Sequence, residues 1–171
     1  MQLRLNPSVK DNQIAALAAL AIGIHVLESV LPSPLPGLKP GFANIITLIA
    51  FAKYGLEAAA WVSVLRVLVG SLIIGTFLSP TFVLSLSGAL ASIVVLWFVT
   101  KIKKIEISLF GIAVLMAMAH VFAQFIVVYW FFIPHEALIN ILPILLSAAV
   151  IFGVLNGVIA SKVYEKLKPE C

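Results

Sequence analysis

The chain has 171 residues, of which 63% are hydrophobic and 11% charged; that balance excludes a soluble globular domain and fits an integral membrane protein. Its net charge of +4 does not mark a nucleic-acid binder, because the basic residues cluster at the ends of apolar runs, where they anchor to anionic lipid. The lone cysteine, Cys171, excludes an internal disulfide and a CxxC site.

Six apolar runs cover Ile14–Leu31, Leu38–Tyr54, Ala58–Leu78, Thr81–Thr100, Ile107–Ile133 and Ala137–Val163. Each is close to the roughly 17–25 residues that a helix needs to cross a bilayer. The pattern predicts one all-α membrane domain over residues 1–171, with 1–13 as a polar tail and six transmembrane helices. Nine of the eleven Lys and Arg residues fall on one side of it: Arg4, Lys10, Lys53, Lys101, Lys103, Lys104, Lys162, Lys166 and Lys168. The positive-inside rule then places both termini in the cytoplasm.

Asn12 is positioned to cap helix 1. Ala15, Ala19 and Gly23 follow at four-residue spacing on one face. Such a stripe of small residues permits close helix approach, either by a neighbour in the same chain or by a partner subunit. Glu28 near the end of this run, followed by Pro32, Pro34 and Pro36 instead of small residues, argues against a cleaved signal peptide. The proline-rich 1–2 link is stiff and extended; it is either a cap over a binding cavity or a short strap that turns the chain. Pro143 falls inside the sixth run, where it is expected to kink the helix.

Polar side chains at bilayer depth are costly, so they face a protein interior or a cavity. Helix 1 carries His25 and Glu28 on one face of its outer part, and helix 2 carries Asn44 two turns from its outer end. Arg66 lies near the middle of helix 3, Ser85 and Ser87 in the outer half of helix 4, and His120 and Gln124 one turn apart on helix 5. Helix 6 adds Asn140, Ser147 and, toward the cytoplasm, Asn156, whose flanking Gly153 and Gly157 suggest packing. Most of this set converges on the outer half of the bilayer, which predicts a polar-lined cavity for a small molecule entering from outside. Arg66 either pairs with Glu28 to hold the bundle together or presents a fork to a ligand carboxylate or phosphate. His120 with Gln124 reads as a hydrogen-bond pair rather than a metal site. Trp61, Trp97 and Trp130 read as interfacial belt residues.

Asp11 is the sole aspartate, so no Asp-rich metal–diphosphate motif can form, and no Walker sequence or nucleophile elbow appears. Neither a metal nor a cofactor is expected, and catalysis at a Mg²⁺ centre is not supported.

The run Glu28-(x)3-Pro32-x-Pro34-x-Pro36-Gly37-x-Lys39-x-Gly41-x-Ala43-Asn44-Ile45 resembles the signature of a bacterial membrane family known as heptaprenyl diphosphate synthase component I and grouped with the Gx transporters. Ser85-(x)2-Gly88-(x)3-Ser92 and His120-(x)3-Gln124 extend the resemblance over most of the chain. Pro40 and Phe42 stand where the family usually has leucines, Val121 where it often has Asn, and Ala123 where it often has Gly. Similar proteins group with the S components of energy-coupling factor (ECF) transporters. The resemblance implies a six-helix bundle in a prokaryotic cytoplasmic membrane, an outward binding site and a helix 1 contact with a membrane coupling protein that works with ATPases. It implies substrate binding by Glu28, Lys39, Asn44, Arg66, Ser85, His120 and Gln124, and partner docking on Ala15, Ala19 and Gly23. The expected function is capture of a vitamin-like, flavin or prenyl-diphosphate-like ligand for uptake. The alternative is an accessory subunit of isoprenoid or quinone synthesis that binds a prenyl chain.

Overall fold

The computed structural model describes residues 8–30, 40–102 and 107–167. These form six α-helices: α1 (Val9–Val30), α2 (Ala43–Tyr54), α3 (Leu56–Ile74), α4 (Pro80–Lys101), α5 (Leu109–Val127) and α6 (Leu142–Leu167). A π-helical turn at Val128–Phe132 prolongs α5, and a 3₁₀ turn at Glu136–Ile141 leads into α6. Five of these helical segments are long and apolar enough to cross a membrane, and the protein is a multi-pass, all-α membrane protein.

Helix α2 is the exception, and it organises the rest. Its 12 residues reach only about 18 Å, well short of a bilayer core of ~30 Å. Nearly all of it is buried, from Ala43 through Ala50 with only Asn44 partly open, as expected for a helix that is apolar on every face. It packs against α1, α3, α5 and α6. The described part of the second apolar run therefore does not begin as this helix; Pro40, Gly41 and Phe42 lie outside α2. Proline lacks the N–H a helix interior needs, and Gly41 takes φ +68°, a left-handed conformation that suits glycine.

Two further boundaries differ from the sequence expectation. Helix α1 starts at Val9, capped by Ser8 rather than Asn12: the Ser8 N–H donates to Asp11 Oδ2 at 2.9 Å while Asp11 N–H donates to Ser8 Oγ at 3.2 Å. That reciprocal pair satisfies two of the orphan N–H groups of the first turn. Pro143 is the second residue of α6 and so does not kink its interior; a first-turn proline has no helix hydrogen bond to lose.

The α5–α6 contact depends on missing side chains. A Cβ on Gly153 would fall 2.9 Å from Val114 Cα, and one on Gly157 would fall 3.0 Å from Phe110 Cα. This glycine pair lets α6 press against the backbone of α5, which is the main source of helix affinity where lipid removes the hydrophobic drive.

Candidate functional site

A cavity of about 340 Å³ lies among the C-terminal halves of α1, α3 and α5 and the N-terminal halves of α2, α4 and α6. Lys53, Lys101, Lys162 and Lys166 sit at the opposite ends of their helices. Glu28, Asn44, Arg66, Ser85, His120 and Gln124 all line this one space, together with His25. Lys39 and the proline stretch before Pro40 lie outside the described residues.

Burial and pairing fix the polar groups in place. Arg66 is 4% exposed, and its Nη1 donates to Asn44 Oδ1 at 2.9 Å. The guanidinium is therefore oriented across α2 and α3 by an amide, while Nε has no partner among the described residues. Glu28, 5% exposed, accepts a hydrogen bond from the Phe42 N–H at 2.6 Å. Its carboxylate thus secures the backbone at the entry to α2.

His120 sits in a directional chain. The Ser92 hydroxyl lies 3.0 Å from the Gly88 carbonyl, 3.4 Å from the Met116 carbonyl and 3.4 Å from His120 Nδ1. Its single proton goes to the nearest acceptor, the carbonyl one turn back. The hydrogen-bond network thus favours the tautomer with the proton on Nδ1, facing Ser92 Oγ, and with Nε2 as an acceptor. Gln124 Nε2, 3.1 Å away, donates to it, so the amide carbonyl of Gln124 is turned away from the ring. Each of the two cavity histidines lies over a glycine of a neighbouring helix: a Cβ on Gly70 would meet His25 Cδ2 at 2.6 Å, and one on Gly88 would meet His120 Nε2 at 2.5 Å.

Asn156 is the residue that sequence reasoning misplaced. Instead of packing toward the cytoplasm it lines the cavity. Its Nδ2 donates to the Pro40 carbonyl at 3.1 Å and to the Gly41 carbonyl at 3.3 Å. Non-helical backbone at membrane depth persists only where protein satisfies it; here Asn156 from α6 and Glu28 from α1 hold three successive residues. Thr81 and Phe152 also line the cavity without having been singled out, and Val121 does so as well. Ser87 and Ser147 do not: each bonds back to its own helix, at Leu84 and Pro143. Asn140 is exposed in the 3₁₀ turn.

Ala15, Ala19 and Gly23 all face outward, and a Cβ on Gly23 would meet nothing within 4 Å. No described helix of the chain packs over that stripe at Gly23, which removes the reading of an internal contact there. Trp61, Trp97 and Trp130 are exposed and none lines the cavity.

Fold and site define a helical multi-pass membrane protein with a polar chamber inside its bundle. The chain belongs to the family described as heptaprenyl diphosphate synthase component I, whose model matches residues 17–163. Its fold is similar to that in a structure titled "Structure and mechanism of the S component of a bacterial ECF transporter", with a TM-score of 0.50 and 19% identity over 91% of this chain and 93% of that one. No curated protein sequence matches the chain.

Proposed function

We propose that this protein is the substrate-binding subunit of a small-molecule importer, related in architecture to the S components of ECF transporters. One observation carries the proposal: polar side chains from all six helices, each costly in lipid, meet around a single cavity of about 340 Å³. That volume falls in the range of roughly 300–1,000 Å³ typical of small-molecule sites. Glu28, Asn44, Arg66, Ser85, His120 and Gln124 are the binding residues in this reading, with Lys39 as an additional cation of the set. Arg66 selects a ligand with an anionic or strongly accepting group; the Gln124 carbonyl favours a donor on the same ligand.

Both termini are cytoplasmic in this reading, and the ligand enters from outside a prokaryotic cytoplasmic membrane. The exposed Ala15, Ala19 and Gly23 stripe receives a membrane coupling protein, which with its ATPases supplies the energy. The chain itself is not an enzyme. Prenyl transfer needs several converging carboxylates, whereas among the described residues Glu28 is the only carboxylate lining the cavity and it is engaged by the Phe42 N–H. The family description keeps a second reading in view, an accessory subunit that binds a prenyl chain for isoprenoid or quinone synthesis. The cavity is lined by apolar Val67, Leu84, Val121 and Phe152 as well as by polar groups, so it is the buried Arg66 and Glu28, which need polar partners, that weigh against a bare prenyl tail.

The test is mass spectrometry of small molecules retained after gentle detergent purification, comparing wild type with Arg66→Met. Losing a charge-assisted contact of about 1.5–3 kcal/mol should reduce retention by roughly ten- to a hundredfold. A wild type that retains nothing beyond what a normally folded Arg66→Met protein retains would overturn the proposal. Bulky residues at Ala15 and Ala19 should abolish uptake without changing retention.

A further inference from the structure

A second concavity, of about 430 Å³, lies on the outside of the bundle where α4, α5 and α6 meet. All ten residues that line it are apolar, so it offers no partner to a polar ligand. Two helical stripes form its walls: Val95 and Phe98 on α4 with Ile102 just past its end, and Leu115, Ala119 and Phe122 on α5. In each, the spacing of three or four residues keeps the side chains on one face. From Ile107, at the foot of α5, to Phe122 the groove runs for roughly 20 Å, more than one leaflet of a core that is ~30 Å thick.

Among the described residues, a charged side chain stands at one end of it. Lys101 is exposed beside Ile102, with Nζ 5.6 Å from the centroid of the Trp97 ring. Trp97 in turn meets Phe98, a wall of the groove, edge-on at a centroid distance of 4.9 Å. Lys101 does not line the groove but stands beside it, one residue before Ile102 and over an aromatic ring that touches Phe98. Trp–Lys pairs of this kind favour the membrane–water interface.

We propose that this groove is a binding site for an anionic phospholipid, with one acyl chain lying between α4 and α5 and the headgroup phosphate at Lys101. Charge complementarity selects the headgroup, and the length and apolar lining select the chain. The site is separate from the central cavity and does not depend on what that cavity binds.

Native mass spectrometry of the full chain, purified in detergent and offered an equimolar mixture of phosphatidylglycerol and phosphatidylcholine with identical acyl chains, tests this. One phosphatidylglycerol should be retained about fivefold more than phosphatidylcholine, the advantage expected from one lysine near an anionic head. Lys101→Glu should erase that preference. Ala119→Trp, which fills the groove, should abolish retention of both lipids; Leu115→Trp, at an exposed wall position, provides the same test should the first variant not fold. Equal retention of the two lipids by wild type, or undiminished retention by a folded groove-filling variant, would overturn the proposal. Displacement of phosphatidylglycerol by an equimolar prenyl phosphate would also overturn it, by assigning the groove to an isoprenoid chain.

Discussion

The ring of His120 occupies the space that any side chain at Gly88 would need. A Cβ there would fall 2.5 Å from Nε2, closer than non-bonded carbon and nitrogen atoms approach. Gly88→Ala should therefore displace the imidazole, break its bond to Gln124 and destabilise the bundle by about 1–3 kcal/mol, as overpacking does. Gly23→Ala is the control, since nothing lies within 4 Å of its added methyl. It should leave stability unchanged or raise it slightly, because alanine has the better helix propensity. Thermal unfolding in detergent, followed by tryptophan fluorescence, separates the two; equal melting temperatures would contradict the packing described.

Much of this site was legible because polar residues inside apolar runs stand out against the cost of burying them. Glu28, Asn44, Arg66, Ser85, His120 and Gln124 were placed at compatible depths from helix direction alone, and they do line one cavity. Asn156 was misplaced for a geometric reason. The apolar run 137–163 begins before α6 does, since residues 136–141 form a 3₁₀ turn. Its apparent centre is therefore too early, and Asn156 seemed to lie near the cytoplasmic end when it sits close to the middle of Leu142–Leu167. The shortness of α2 was hidden in a similar way. An apolar run counted from Leu38 passes over Lys39, Pro40 and Gly41, and it is Pro40 and Gly41 that carry the signal for a later helix start. Hydropathy also cannot reveal which backbone a buried amide will satisfy, because that depends on how neighbouring helices dock.

The tautomer of His120 is a second consequence of local geometry. With the Ser92 hydroxyl committed to the Gly88 carbonyl at 3.0 Å, the ring holds its proton on Nδ1 and accepts from Gln124 at Nε2. Ser92→Ala removes the acceptor that fixes this arrangement. Nitrogen NMR of protein labelled at histidine should show a neutral His120 with its proton on Nδ1 in wild type. In Ser92→Ala the resonances should shift toward a mixture of tautomers. A wild-type ring with its proton on Nε2 would mean that Gln124 presents its carbonyl, not its amide, to the histidine, and would reverse the ligand polarity inferred at that position.

Asn156 should act as the fastener of the segment that enters α2. Its Nδ2 spans the Pro40 and Gly41 carbonyls at 3.1 and 3.3 Å, and the next residue, Phe42, is held from the other side by Glu28. Because both partners of Nδ2 are carbonyl oxygens, the amide cannot be flipped without setting oxygen against oxygen. Asn156→Asp enforces that repulsion permanently: it deletes the donor and brings an acceptor against two carbonyls. The Gly41 carbonyl keeps the Asn44 N–H at 2.9 Å, but leaving the Pro40 carbonyl without its partner costs about 1–3 kcal/mol, so hydrogen exchange at the Gly41 and Phe42 amides should accelerate by roughly five- to a hundredfold. Asn156→Leu should loosen the same amides less, since it removes the donor without adding a repelling oxygen. Glu28→Gln should spare more of the protection than either, because its amide carbonyl can still accept from Phe42. If exchange in Asn156→Asp matched wild type at these amides, the entry segment would be held by contacts other than this side chain, and Asn156 would be a cavity-lining residue only.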